Sequence, residues 1–279
     1  MALHINSLPD DILAMVIGYA QRLEQETRGL WSKRQPVLSV CRRWRCVAMP
    51  IVYREIFVWC EEGTASTNAG LAAELGAAHM ARSVCMTVLY DGDPVRSMRS
   101  ALSALQGDDK PGRRWDRVKR LDLYVHPVAD EALAKSQGAA DVVRAVANLL
   151  PGVEALRLDD HASDSFTLSV YRGLASAYAG QLRRLNSSYI WGASTSPLAR
   201  LTHLEVRFDA LRCLSMPRVC TDTLVSLSLV GATTQQAWLQ LMEGGTDGPA
   251  ALGSLEHLYV SYHSGPWPLA RRAPQGPWG

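Results

Sequence analysis

None of the six cysteines (Cys41, Cys46, Cys60, Cys85, Cys213 and Cys220) forms a Cys-x-x-Cys pair, and they are scattered along the chain. A disulfide framework would be denser, and a zinc site would cluster its ligands. Reduced, mostly buried thiols are therefore expected, as in a cytosolic or nuclear protein. Long apolar runs are missing too. Stretches such as Ile12 to Ile17 fall far short of the roughly 20 residues that span a bilayer, and residues 1–11 show no basic segment leading into an apolar one. No membrane association is expected. Strong charge of either sign is also missing: the formal net charge is +2, so nothing resembles the basic footprint of a nucleic-acid binder. Phe is scarce, at three against eight Trp and nine Tyr, a bias that suits amphipathic packing and interface positions.

Motifs for chemistry are absent as well. There is no Walker-type loop, no G-x-G-x-x-G after a strand, no H-E-x-x-H and no G-x-S-x-G elbow. Gly244 to Gly248 is glycine-rich but follows a helical pattern and has no lysine after it, so it reads as a surface loop. Asp159, Asp160, His161 and Asp164 form the one local cluster that could hold a cation or move a proton. Its place after a strand pattern favours a solvated turn, while a hydrolase using Asp159, His161 and Asp164 is a distant alternative. The expectation is a protein that is not an enzyme and needs no cofactor or metal.

What is present is enough apolar material for a sizeable core: 47% of 279 residues. The chain begins with a helix start. Pro9 suits the first helical position, and Asp10 and Asp11 put negative charge where the helix dipole favours it. Leu8, Ile12, Met15, Val16 and Tyr19 follow helical spacing, and Leu13 and Ile17 broaden the stripe, which then needs more than one partner surface. A polar stretch, Gln21 to Gln35, follows. A second helical pattern after Pro36 uses Val37, Leu38, Val40, Cys41, Trp44, Val47 and Ala48, with Arg42, Arg43 and Arg45 turned to solvent or to the module's edge. Pro50 is expected to end it, with a β-prone run from Ile51 to Val58 beyond.

The ordered set Leu8, Pro9, Asp11, Ile12, Ile17, Val40, Trp44 and Tyr53 resembles an F-box. That family opens on Leu-Pro and an acidic residue and closes on Val-x-x-x-Trp with an aromatic beyond. Its short Leu-rich middle helix is replaced here by the charged stretch, with Leu23, Leu30 and Trp31 as apolar anchors. The resemblance covers about the first fifth of the chain. It implies docking on a Skp-type adaptor, itself bound to a cullin, with Leu8, Pro9, Ile12, Ile17, Val40 and Trp44 supplying contacts and packing.

Downstream, apolar-x-x-Leu-x-apolar recurs with starts at 118, 153, 201, 224 and 255, more weakly at 182, where Ser187 takes the last place, and more weakly still at 81. Its last apolar pair has period two and so shares one strand face. Helical stripes lie between: Val95 to Leu105 after Pro94, Val142 to Leu150 before Pro151-Gly152, Leu168 to Tyr178 before Gly180, and Ala237 to Met242. This alternation resembles a leucine-rich-repeat solenoid, irregular in that successive starts differ by 35, 29, 19, 23 and 31 positions against about 20–29 for a regular array. A doubly wound α/β domain is the alternative, but its buried central strands would read as continuous apolar runs.

The expected fold is α/β: a helical F-box-like module over 1–58, an irregular leucine-rich-repeat (βα) solenoid over 59–264, and a flexible Pro/Gly-rich tail over 265–279 that offers no capping unit. The two resemblances imply a substrate-recognition adaptor of an SCF-type ubiquitin ligase, cytoplasmic or nuclear. Its solenoid would hold an unknown protein target, with Asp122, Arg157, Glu205 and Ser228 as geometric candidates for contact. A leucine-rich-repeat scaffold with no ligase connection is the alternative.

Overall fold

The computed structural model describes residues 8–28, 36–107, 115–127, 138–158, 165–187, 198–207, 223–230 and 254–261. Helix α1 (Asp10–Arg28) starts with Leu13 N–H donating to the Pro9 carbonyl at 2.9 Å. It runs well into the polar stretch that starts at Gln21. Glutamine, arginine, leucine and glutamate are good helix formers, and no glycine interrupts them before Gly29.

The second helical pattern is split. Pro36–Ser39 is a 3-10 turn, and α2 (Arg42–Val52) begins anew with Cys41 at its N-cap, its sulfur accepting from Trp44 N–H at 3.5 Å. Pro50 does not end α2, as expected from sequence, but lies in its last turn. Near the C-terminus its missing N–H costs one helical bond, and Tyr53 N–H still reaches the Met49 carbonyl at 3.0 Å.

The rest forms one sheet. Strands β1 (Glu55–Glu61) and β2 (Thr64–Thr67) make an antiparallel hairpin turned through Glu62 and Gly63, both at positive φ. That is the backbone of the turn which matches strand twist. After α3 (Ala69–Glu74) come β3 (Ser83–Tyr90), α4 (Pro94–Gln106), β4 (Arg120–Pro127), α5 (Ala139–Leu149), β5 (Ala155–Leu158) and α6 (Ser165–Ala177). Strands β6 (Arg184–Asn186), β7 (His203–Arg207), β8 (Ser226–Val230) and β9 (His257–Ser261) complete the sheet. From β1 onward, with β2 flanking it, each later strand pairs parallel with the one before it, in chain order and without a reversal. The architecture is thus α/β, a mostly parallel nine-stranded sheet with six α-helices among the described residues. The first strand straddles the boundary expected at residue 58.

The recurring sequence signal has a physical basis. Its first apolar residue is buried at Ala81, Val118, Val153, Leu182, Leu201 and Leu224. The next residue and the one after it then donate both N–H groups to a single carbonyl of the preceding unit. Lys119 and Arg120 bond to the Arg82 carbonyl, Glu154 and Ala155 to that of Lys119, and Arg183 and Arg184 to that of Glu154. The arrangement continues to Glu256 and His257 on the Val225 carbonyl. Each unit thereby satisfies the backbone of its neighbour, which fixes strand spacing whatever the connection length. The strand leucines Leu121, Leu156, Leu185, Leu204 and Leu227 are all buried. Tyr53, Ile56 and Val58 occupy the same positions in the first unit and are also buried.

Helix α4 packs on β1 to β3 and on α5, and α5 packs on α6. Two close approaches need glycine. A Cβ on Gly152 would lie 2.6 Å from the Asp116 carbonyl oxygen, and one on Gly173 would lie 2.6 Å from a Val143 methyl. The hydroxyl of Tyr171 in α6 accepts from Val125 N–H at 3.2 Å, and that of Tyr178, just past the helix end, donates to the Leu150 carbonyl at 3.0 Å. Both serve backbone groups beyond the ends of regular pairing.

Tyr53 is different. Its side chain is fully buried, and its hydroxyl finds no partner among the described residues; burial first, and Glu74 second, push its pKa up. Removing an orphaned buried hydroxyl relieves a desolvation penalty of about 1–3 kcal/mol. Tyr53→Phe is therefore expected to hold or raise the urea midpoint, and a clear drop would reveal a hydrogen bond that this packing lacks.

Candidate functional site

Two surfaces stand out, one on the helical head and one on the open side of the sheet. On the head, the wide apolar stripe of α1 divides. Leu13 and Ile17, one helical turn apart, are buried and join the continuous core that also contains Leu38, Ala48, Val52 and Tyr53. Met15, Val16 and Tyr19 lie on the other side of α1 and remain exposed, Met15 and Tyr19 each at 64%. Val40, on the segment entering α2, is exposed at 55%.

Arg43 locks the two helices together. Its guanidinium pairs with Asp10 at 2.7 Å and donates to the Leu8 carbonyl, while Arg45 Nε donates to the Leu38 carbonyl at 2.9 Å. These arginines stitch the head together as well as meeting solvent. Of the positions selected from sequence, Pro9 and Val40 are exposed, Leu8, Ile12 and Trp44 are half-buried, and Ile17 is buried. Ile17 holds the helix to the core rather than offering itself outward. The most exposed apolar residues, Met15 and Tyr19, belonged to the stripe but had not been singled out.

On the sheet, the face turned away from α4 to α6 is largely polar across β4 to β8. Asp122, Arg157, Asn186, Glu205 and Ser228 fall in one register row across β4 to β8. The four residues named from sequence are thus brought side by side, with Asn186 completing the row. A second row, Arg120, Ala155, Arg184, His203 and Ser226, runs beside it. Both rows line a concavity of about 380 Å³.

The Asp122 carboxylate is only 4% exposed and is held by a two-pronged Arg120 contact, Nε at 2.8 Å and Nη2 at 2.7 Å. The bond keeps Arg120 charged. Arg157 lies over the Tyr124 ring at 5.9 Å. His203 Nδ1 is 2.9 Å from the Thr202 hydroxyl, and its pKa is lowered by burial first, then by Arg184 and His257.

Cys85 is the sulfur on this face. Burial, reinforced by Asp122 and Glu55, pushes the Cys85 thiol up to about 12, so the thiolate is scarce at neutral pH. Iodoacetamide at about pH 8 is expected to modify the exposed Cys41 and Cys46 and to leave Cys85 intact. Peptide mass mapping reads the outcome, and rapid Cys85 labelling would contradict the burial described. Among the described residues, no group of three or more His, Cys, Asp or Glu could hold a metal, and no helix is long and apolar enough to cross a membrane. Asp159, Asp160, His161 and Asp164, the Ala237 to Met242 stripe and the 265–279 tail lie outside the described residues. No protein-family model matches the chain, and a search of curated proteins returns no match either.

Proposed function

We propose that this chain is a substrate-recognition adaptor of an SCF-type ubiquitin ligase, an F-box-like head docked on a Skp-type adaptor and cullin, with a leucine-rich-repeat solenoid holding a protein target. The observation that carries this reading is the divided stripe of α1. Leu13 and Ile17 are used by the chain's own core, whereas Met15, Val16 and Tyr19 are left outside. An exposed apolar face of this kind on a helix is the pattern of helix-mediated docking. The solenoid part is supported by the unreversed strand order and by the shared-carbonyl bonding at each unit. A tethered target lysine gains effective concentration near the conjugating enzyme, so the chain itself need form no covalent intermediate.

A second reading, a repeat scaffold capped by its own head, draws on one observation: α2 runs into β1 through the buried Val52 and Tyr53. Affinity purification of the intact chain separates the two. The ligase reading expects a Skp-type adaptor to co-purify and to bind at micromolar concentration. Absence of such binding by the folded chain leaves the scaffold.

A further inference from the structure

Resting on the reading that the sheet face receives the target, we propose that its β4–β7 concavity recognises an acidic peptide segment through side-chain carboxylates, with Arg184 as the principal contact. The first observation is the distribution of charge. Along the start of β4 to β7 and the rows beside it, Lys119, Arg120, Arg157, Arg183, Arg184 and Arg200 outnumber the carboxylates Glu55, Asp122, Glu154 and Glu205. This edge of the face therefore carries a positive balance, which attracts an incoming anion.

The second observation is which of these cations are already engaged. Arg120 is bound to Asp122 at 2.7 Å, and Arg183 reaches Glu154 at 3.6 Å. Arg184 is exposed and lines the concavity, and its guanidinium makes no ion pair or hydrogen bond among the described residues. Arg157 is one strand away and diagonal to it, about 8 Å between Cα atoms by strand spacing and rise. Its guanidinium is placed over Tyr124, which leaves its N–H edge available. Asn186 and Ser226 add neutral donors beside them.

The charge balance favours a carboxylate over a phosphate. Glu205 stands in the register row next to Asn186, so a dianion would meet a like charge that a single carboxylate meets at half strength. The depressed His203, neutral near pH 7, supplies no second full charge to offset it. One guanidinium fork and flanking amide and hydroxyl donors suit a monoanion.

The test uses the intact chain and a fluorescein-labelled hexaglutamate peptide, followed by fluorescence anisotropy at low ionic strength, on the order of 0.05 M. Saturable binding is expected, weakened about tenfold by Arg184→Ala, partly restored by Arg184→Lys and unaffected by Arg99→Ala on the helix side. A hexalysine peptide should not bind. No saturable binding, or binding indifferent to Arg184, overturns the proposal, and so does stronger binding of a phosphoserine peptide of the same length. Adaptor capture measured on the same preparation keeps the two readings apart. If capture persists without peptide binding, only this inference is lost. If peptide binding occurs without capture, the ligase reading is lost.

Discussion

Exchanging both Met15 and Tyr19 for glutamate is expected to abolish capture of a Skp-type adaptor while leaving the fold intact. Both side chains are exposed on α1, and glutamate is a good helix former. Surface changes of this kind shift stability by no more than about 0.5 kcal/mol, so the melting temperature should move by only a degree or two. At an interface the effect is different in kind. Large apolar anchors at a docked surface commonly contribute about 2 kcal/mol or more each, and a carboxylate in their place must be desolvated. Two such changes weaken binding by roughly a thousandfold or more. Ile17→Ala is the instructive contrast. Ile17 is buried, so its truncation costs about 2–5 kcal/mol of stability, and loss of capture would then report an unfolded head. Retained capture in the double-glutamate variant, with an unchanged melt, would remove the outer stripe from any docking role.

The second large effect concerns stability. Leu121→Ala is expected to lower unfolding free energy by about 2–5 kcal/mol, whereas Leu258→Ala, at the same position of the repeated pattern, should cost less than about 0.5 kcal/mol. Leu121 is fully buried in the interior strand β4, but Leu258 is 51% exposed in β9, at the end of the sheet. The sequence pattern is identical at the two sites; the cost follows the number of neighbours that close around each leucine. Urea unfolding of the two variants measures this directly. Equal losses would mean that the last strand is covered as thoroughly as the interior ones.

These two predictions also mark where the sequence was readable. The strands at 118 to 229 were legible because one buried residue before the turn and two on the strand recur whatever lies between. The first units were faint for a chemical reason. Tyr53 and Ala81 stand where Val or Leu signals the turn in the later units, although Val84, Met86, Val88 and Tyr90 make β3 as buried as any strand. Helices α4 to α6 were foreseen with their stops, including Gly107 at positive φ. The length of α1 is hidden because charged residues from Gln21 onward erase the apolar periodicity while helix propensity continues.

The division of the α1 stripe lay beyond sequence. Periodicity says that Leu13, Met15, Val16, Ile17 and Tyr19 are apolar on one broad arc, but only the position of α2 decides which half is covered. The sheet face was half legible. Alternation placed Asp122, Arg157, Glu205 and Ser228 on one side, while register between strands far apart in sequence made them neighbours. That Asp122 would be buried against Arg120 followed from packing across β3 to β5, which no local pattern encodes.

Amide hydrogen exchange of the intact chain, with and without saturating Skp-type adaptor, tests the central claim most directly. The account expects slowed exchange over residues 8–20 and 38–44, with the strands from 55 to 261 unchanged. Protection confined to those strands, or no protection anywhere, would contradict it.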